Sequence, residues 1–358
     1  MINIKIDSRK IKPGDIFVAL PGSTVDGHDF VEKAYENGAA KAIVEHKVPC
    51  AIEQEVVNNT KEWLTNYVSE NYQEQVNELN IIGVTGTNGK TTTAYLTYQL
   101  LNKLGSKTAY IGTIGFYIPD EAVMELPNTT PDILDLYELI LTAKEKGCKN
   151  VMMEVSSHAL HQNRVKGLKF KVAAFTNLTQ DHLDYHKTME NYLEAKKLIL
   201  KQLEGPMIVN SDDSYAQSWL DSYDNTKTFG FNGTDYQIIS YEDTLKGTKL
   251  KFKYNDKEYE TETNLKSKFN VYNYITTLSL VNNMGFSIEQ ILEVTPSIYP
   301  PKGRCEIIPV KDGIAVIDYA HTPDAVEKII DAFIEHKKGK IITIVGCGGD
   351  RDPKKRPI

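Results

Sequence analysis

The chain has 358 residues, enough for two or three domains with separate cores. Its 41% apolar and 25% charged residues are those of an ordinary globular protein, and its net charge of −7 argues against a nucleic-acid surface, which needs a basic excess. No apolar run approaches the ~20 residues of a membrane span, and the start MINIKIDSRK lacks the apolar core of a signal peptide. Cys50, Cys148, Cys305 and Cys347 are too scattered for a zinc site or a disulfide framework, so a cytoplasmic protein with reduced thiols is expected.

Residues 1–78 read as a small α/β unit. DIFVAL is predicted as a strand, GHDFVEKAYENGA as an amphipathic helix closed by Gly38, and AKAIVEH as the next strand. The polar stretch SENYQEQVNELN reads as a connection. A second unit, 79–302, alternates strands (NIIGVTG, KTAYIGTIGF, NVMMEVSS, KVAAFTNL) with helices (KTTTAYLTYQLLNKLG, then near 132–146 and 189–203). This alternation predicts a parallel sheet covered on both faces. Residues 235–263 alternate in polarity around Asn-Asp and predict an antiparallel hairpin, after which KFNVYNYITTLSLVNNMG returns to helix. A third unit, 303–358, opens with strand GIAVIDYA, a helix with Thr322 as N-cap and Pro323 in its first turn, and strand KIITIVG. One βαβ unit is too little for a domain, so this third unit is expected to be truncated.

The stretch IIGVTGTNGKTTT (Ile81–Thr93) has a strand, a glycine-rich turn and a helix start in the order a phosphate loop needs. Its spacing differs from G-x-x-x-x-G-K-[ST], which wants Gly at 84, where this chain has Val84. Gly86 and Gly89 let the backbone around Thr87 and Asn88 curl toward an anion, and the helix N-terminus adds partial positive charge. Lys90 supplies a point charge for the β/γ-phosphates, and the Thr91 hydroxyl, with Thr92 after it, suits Mg2+. Glu154 ends the strand NVMMEVSS, where ligand groups gather in open α/β sheets. It can share Mg2+ with Thr91, or be an ordinary capping or ion-paired glutamate.

FTNLTQDHLDYH packs Asp181, His182, Asp184 and His186 into six residues, a set suited to a divalent cation or to a solvated polar turn. On MENYLEAKKLIL, Tyr192, Leu193, Ile199 and Leu200 lie at −4, −3, +3 and +4 from Lys196, which puts that lysine on the apolar face. An inward lysine is costly unless neutral, paired or modified. A neutral amine can add CO2 to become a carbamate; a stem snorkelling over apolar surface is the alternative.

GVTGTNGKTTT resembles the ATP-binding loop of the Mur ligase family, and the resemblance extends over essentially all 358 residues. It implies an N-terminal α/β uridine-binding domain, a central parallel-sheet P-loop ATPase domain and the start of a Rossmann-like C-terminal domain. It also implies ATP-driven amide formation through an acyl phosphate, with Lys90, Glu154, His182 and Lys196 as the catalytic set. Two Mg2+ ions would be held by Thr91, Glu154, His182 and Lys196, the last as a carbamate. ATP would meet Gly86, Thr87, Asn88, Gly89, Lys90, Thr91 and Thr92, with Asn270 and Asn273 of KFNVYN, Arg304 of KGRCEII, and Asp318 and His321 of VIDYAHTPDAV. Lys302 stands where the family often has Pro.

The N-terminal segment DSRKIKPGDIFVALPGSTVDGHDF resembles the branch that adds the third amino acid of the cell-wall peptide. That implies UDP-MurNAc-L-Ala-D-Glu as one substrate and meso-diaminopimelate or L-lysine as the other. Ser8, Ser23 and Thr24 would then contact the uridine end, although Ser8 alone could simply cap a turn. Asn128, Thr129 and Thr130 of NTTPD, with Ser156, Gln162 and Arg164 of SSHALHQNRV, would face the same substrate. Arg351 of GCGGDRDPKKRP would take the carboxylate of the amino acid, in a run that Pro353 interrupts. A monomer without nucleic-acid or membrane partners is expected. The rivals are a folylpolyglutamate-synthetase-like ligase, which would lack the uridine unit, and a non-catalytic nucleotide-binding fragment.

Overall fold

A computed structural model describes residues 2–22, 25–121, 123–244, 247–311, 313–334, 337 and 339–346. The strands are β1 (Ile4–Lys5), β2 (Ile16–Val18), β3 (Lys41–Val44), β4 (Glu53–Val56), β5 (Asn80–Thr85), β6 (Thr108–Gly112), β7 (Gly115–Tyr117), β8 (Asn150–Glu154), β9 (Phe170–Phe175), β10 (Met207–Asn210), β11 (Thr226–Gly230), β12 (Tyr236–Asp243), β13 (Thr248–Tyr254), β14 (Lys257–Thr263), β15 (Glu306–Val310) and β16 (Gly313–Ile317). The helices are α1 (Val31–Glu36), α2 (Thr60–Val76), α3 (Lys90–Lys103), α4 (Ile133–Glu145), α5 (Ser157–His161), α6 (Leu183–His186), α7 (Met189–Lys197), α8 (Ala216–Leu220), α9 (Lys268–Asn283), α10 (Ile288–Val294) and α11 (Pro323–Ile334).

Strands β1 to β4 form a parallel sheet in chain order. Gly38 follows α1 at φ 99°, the left-handed turn that ends a helix. The stretch expected to be a connection is instead the C-terminal half of α2, which Asn59 caps by accepting from the Glu62 amide. Leu64, Val68 and Val76 are buried along α2, with half-buried Tyr72 between them at the same four-residue step. So sparse a stripe among polar residues does not stand out in sequence, but it suffices to dock the helix beside α4.

The central sheet runs β14-β13-β12-β11-β10-β9-β5-β8-β6-β7. Its strands from β12 to β6 in that order are parallel, and antiparallel pairs close both edges. Alternate residues of one strand feed two cores. Ile81, Val151, Ala173 and Phe175 point to the side of α2 and α4, whereas Ile82, Val84, Met152, Val172 and Ala174 point to the side of α3 and α9. Burial on both faces is why these strands read as continuous apolar runs.

KTAYIGTIGF, expected as one strand, turns back on itself as β6 and β7, because Gly115 takes φ 124° after the Thr113–Ile114 turn. Asn255 and Asp256 adopt φ 48° and 60° between β13 and β14, as a tight hairpin turn requires.

Near the C-terminus β15 and β16 pair antiparallel, and Thr322 caps α11 through the Ala325 amide at 3.2 Å. The stretch KIITIVG is not a strand over its described residues; Ile342 and Ile344 are exposed. A parallel strand needs a neighbour to pair with, and among the described residues β16 pairs with β15 alone. Over its described residues the third unit is a hairpin followed by a helix, where a βαβ crossover was expected. No described helix is long and apolar enough to cross a membrane.

Gly83 lies within β5, where a Cβ would come 2.8 Å and 2.9 Å from the Phe170 ring and 3.3 Å from Ile199 Cδ1. Gly83→Ala is therefore expected to cost about 1–3 kcal/mol by overpacking. Urea unfolding checks this, and an unchanged midpoint would show that the ring yields freely.

Candidate active site

The loop between β5 and α3 is held from below by the segment after β9. Asn177 accepts from the Thr87 amide through its carbonyl at 2.8 Å, and from the Asn88 amide through Oδ1 at 2.9 Å. The Thr176 hydroxyl donates to the Asn88 carbonyl at 2.7 Å. Gly86 (φ 146°) and Gly89 (φ 87°) are forced: a Cβ on Gly86 would lie 2.0 Å from Thr176 Oγ1, and one on Gly89 2.4 Å from Asn273 Oδ1. Helix α3 starts at Lys90 with no side-chain cap on its first turn. Its first N–H groups have no intrahelical acceptor and form a ready anion site.

Lys90 curls over the loop, its Nζ donating to Gly86 O at 2.9 Å and to Thr87 O at 2.8 Å. Desolvation lowers its pKa, against the opposing pull of Glu154 and Asp181. Glu154, at the end of β8, is fully buried. Its Oε1 accepts from the Tyr110 hydroxyl (2.6 Å) and the Thr113 amide (2.8 Å); its Oε2 accepts from the hydroxyls of Thr91 (2.9 Å) and Thr113 (3.2 Å). These partners are hydroxyls and a backbone amide, so the capping or ion-paired glutamate left open by the sequence is not what the structure holds.

Lys196 is 1% exposed, as the helical spacing predicted, and does not snorkel. Its Nζ donates to the same Gly86 carbonyl at 2.8 Å and sits 4.3 Å from the Tyr192 ring centroid. Desolvation, reinforced by Lys90, holds its pKa well below the usual lysine range, which favours a neutral amine.

The dense DHLDYH motif disperses. His182 lines the cavity with its Nε2 3.3 Å from Asp181 Oδ2, and desolvation lowers its pKa. Asp184 is exposed, while His186 is buried against Ser157 Oγ (2.9 Å) and stacked on Tyr192. Among the described residues no three His, Cys, Asp or Glu side chains converge as a metal set. The donors nevertheless fit Mg2+, which takes one or two protein oxygens and completes its shell with phosphate and water. Glu154 Oε2 and Thr91 Oγ1 face each other at 2.9 Å beside the phosphate loop, and His182, whose burial favours the neutral ring, lines the same cavity.

These residues open onto a cavity of about 650 Å3. Thr87–Thr92, Thr129, Asn273, Arg304, Asp318 and His321 also line it. Arg304 Nη2 donates to Thr91 Oγ1 at 3.1 Å and its guanidinium lies over Tyr319, while Asn88 donates to Asp324 of α11 at 3.0 Å. Asp318 spends its carboxylate on the amides of Cys305 and Ala320, organising the turn before α11. Asn270 stands behind the cavity, accepting from Asn273 Nδ2 at 3.0 Å.

The predicted substrate residues divide. Thr130 is buried, and its hydroxyl ties the Glu154 carbonyl (2.9 Å) to the Ser156 amide (3.0 Å). Ser156 caps α5 through the Ala159 amide, and Arg164 binds Gln162, Asp132 and the Thr130 carbonyl. Asn128 is exposed, and Ser8 is buried in a short turn after β1 and is not among the residues lining the cavity. Ser23, Thr24 and Arg351 lie outside the described residues. Sequence reasoning missed Thr176 and Asn177, although they sit at the end of a parallel strand, where the rule that found Glu154 also applies. Tyr110 and Thr113 gave no such signal, because the hairpin that aims them was read as one strand.

Burial, with His158 and Lys196 nearby, lowers the His186 pKa to about 4. The unfolded value is about 6.5, so this histidine contributes stability in full above that pH and loses it as pH falls toward 4. In metal-free protein, NMR titration of the imidazoles is expected to give His186 a midpoint well below 6, with a lower urea midpoint at pH 5 than at pH 7. A His186 midpoint near 6.5 would contradict this environment.

Family models agree with the geometry along most of the chain. One described as the Mur ligase middle domain matches residues 84–281, one described as the Mur ligase glutamate ligase domain matches 303–358, and one described as the Mur ligase family catalytic domain matches 2–82. The UDP-N-acetylmuramoyl-L-alanyl-D-glutamate–2,6-diaminopimelate ligase of Aquifex aeolicus is 38% identical over 357 residues, covering 99% of this chain and 73% of that protein. The ligase of the same name from Bacillus cereus is 40% identical over 367 residues, covering 99% of this chain and 74% of its own length. A solved structure of a ligase of that name aligns with a TM-score of 0.80 at 31% identity, over 100% of this chain and 75% of that one. By sequence and by fold, this chain belongs to the Mur ligase family.

Proposed function

We propose that this chain is an ATP-dependent amide ligase that joins 2,6-diaminopimelate to the D-glutamate carboxylate of UDP-MurNAc-L-Ala-D-Glu. One observation carries the reading: Lys90, the Thr91–Glu154 pair and buried Lys196 converge on one phosphate loop. It is supported by relatives at 38% and 40% identity that are named for this reaction. Residues 1–78 would form the UDP-substrate unit, 79–302 the ATP unit and 303–358 the third ligase unit. A cytoplasmic location goes with this reading.

The chemistry asks the chain to make a carboxylate electrophilic and then admit an amine. Lys90 and the first-turn amides of α3 neutralise charge on the transferred phosphoryl group, and Arg304 adds a second cation beside Thr91. Two Mg2+ ions, when bound, would supply charge neutralisation between phosphates and substrate carboxylate. Thr91, Glu154 and His182 would hold them together with Lys196 as a carbamate. Burial holds the Lys196 pKa well below the usual lysine range and so favours the neutral amine that adds CO2. The amine of the incoming amino acid then displaces phosphate from an acyl phosphate. Asn273 and His321 would border the nucleotide, Ser8, Ser23 and Thr24 the uridine end, Thr129 the peptide, and Arg351 the amino-acid carboxylate.

Lys196→Ala is expected to reduce ligation by about two orders of magnitude or more, with partial rescue by acetate or formate. The assay follows ADP release and amide product from UDP-MurNAc-L-Ala-D-Glu and 2,6-diaminopimelate. Full activity of the variant would remove Lys196 from the mechanism. ADP release without amide product in the unsubstituted chain would favour a nucleotide-binding fragment.

A further inference from the structure

Tyrosines on β6, β7 and α3 form a cluster that the proposed chemistry does not use, yet it touches the site at one atom. The Tyr110 ring is enclosed by Tyr95, Tyr98 and Tyr117, each edge-on, with centroids 6.0, 6.2 and 5.5 Å away. Tyr110 is fully buried, and its hydroxyl donates to Glu154 Oε1 at 2.6 Å. The Thr113 amide donates to the same oxygen at 2.8 Å. Gly112 lies between them. A Cβ there would stand 2.3 Å from both the Tyr110 hydroxyl and Glu154 Oε1, so the contact exists only because residue 112 has no side chain.

We propose that Tyr110 is a positioning residue that locks the Glu154 carboxylate so that Oε2 faces a divalent cation beside Thr91. This rests on the reading of Glu154 as a cation ligand. The terminal torsion of a glutamate is broad and weakly restrained by itself. Two donors on Oε1, one from backbone and one from a ring that cannot swing, remove that freedom and leave Oε2 directed at the Thr91 hydroxyl, 2.9 Å away. A hydrogen bond to an ionised carboxylate is short and strong, and partners that orient a metal-binding carboxylate typically govern metal affinity as well as geometry.

The test is Mn2+ binding, read by EPR, to the 358-residue protein in the presence of the non-hydrolysable ATP analogue AMP-PNP. Tyr110→Phe keeps the ring and its packing but removes the hydroxyl. It is expected to weaken Mn2+ binding by about tenfold or more with metal-free AMP-PNP affinity unchanged, and to lower the thermal midpoint modestly, since Glu154 Oε1 keeps the Thr113 amide as its remaining donor. Gly112→Ala, whose Cβ would crowd the Tyr110 hydroxyl and Glu154 Oε1 alike, disturbs the same contact from its other side; it is expected to weaken Mn2+ binding too and serves if Tyr110→Phe folds poorly. Unchanged Mn2+ affinity in Tyr110→Phe, alongside lost binding in Glu154→Gln, would overturn this inference alone. Unchanged binding in Glu154→Gln would overturn the assignment of Glu154 beneath it.

Discussion

Two lysine amines donate to a single carbonyl. Lys90 reaches Gly86 O at 2.9 Å and Lys196 reaches it at 2.8 Å, one from α3 above the loop and one from α7 beneath it. Were both protonated, two ammonium groups so close would repel each other and each would lose hydration, and both pKa values are accordingly depressed, that of Lys196 furthest. Such a site is relieved by an anion arriving at the loop, by a proton leaving one amine, or by a modification that reverses its charge. In the proposed chemistry ATP phosphates would take the first route, and a carbamate on Lys196 would take the other two together. The loop geometry, the inward face of α7 and the acid on β8 all serve this crowded point.

Glu154 is the nearby counterweight. A buried carboxylate is tolerable only when its lone pairs are occupied, and here Tyr110, Thr91 and Thr113 occupy them. That full set of donors explains why the acid can remain in the interior before any cation arrives. Under the proposed function it would also decide which oxygen exchanges a hydroxyl for an ion, since Oε1 is held partly by backbone and Oε2 by hydroxyls alone. The edge hairpin of β6 and β7 therefore belongs to the site as much as to the sheet.

Much of this was legible in the residues. The parallel core, the helix at Lys90 and the burial of Lys196 follow from period and position, because apolar spacing on a helix and continuous apolar strands leave little choice of face. Glu154 followed from its place at a strand end. What did not read through depends on contacts distant in sequence or on a single backbone turn. Helix α2 hid because its stripe is one residue in four. The β6–β7 turn hid because nothing in KTAYIGTIGF marks it until Gly115 takes a positive φ. The DHLDYH cluster could not be resolved from its density: neighbours in sequence around a short helix point different ways, and His186 turns to Ser157 and Tyr192 while His182 reaches the cavity.

The unusual glycine spacing of the loop has a physical origin in the same arrangement. Gly83 makes no turn; it sits inside β5 and clears the Phe170 ring and Ile199. The turn begins at Gly86, against Thr176 Oγ1, and the amides that follow at Thr87 and Asn88 are taken by Asn177 rather than left for a phosphate. An anion at this loop would accordingly be left to the first turn of α3, which begins directly at Lys90. A glycine at 84 would serve a loop whose own amides wrap the phosphates. This loop is clamped from the neighbouring strand, and in return its Gly86 carbonyl is exposed to Lys196 from below. The displaced spacing and the buried lysine are thus two consequences of one clamp.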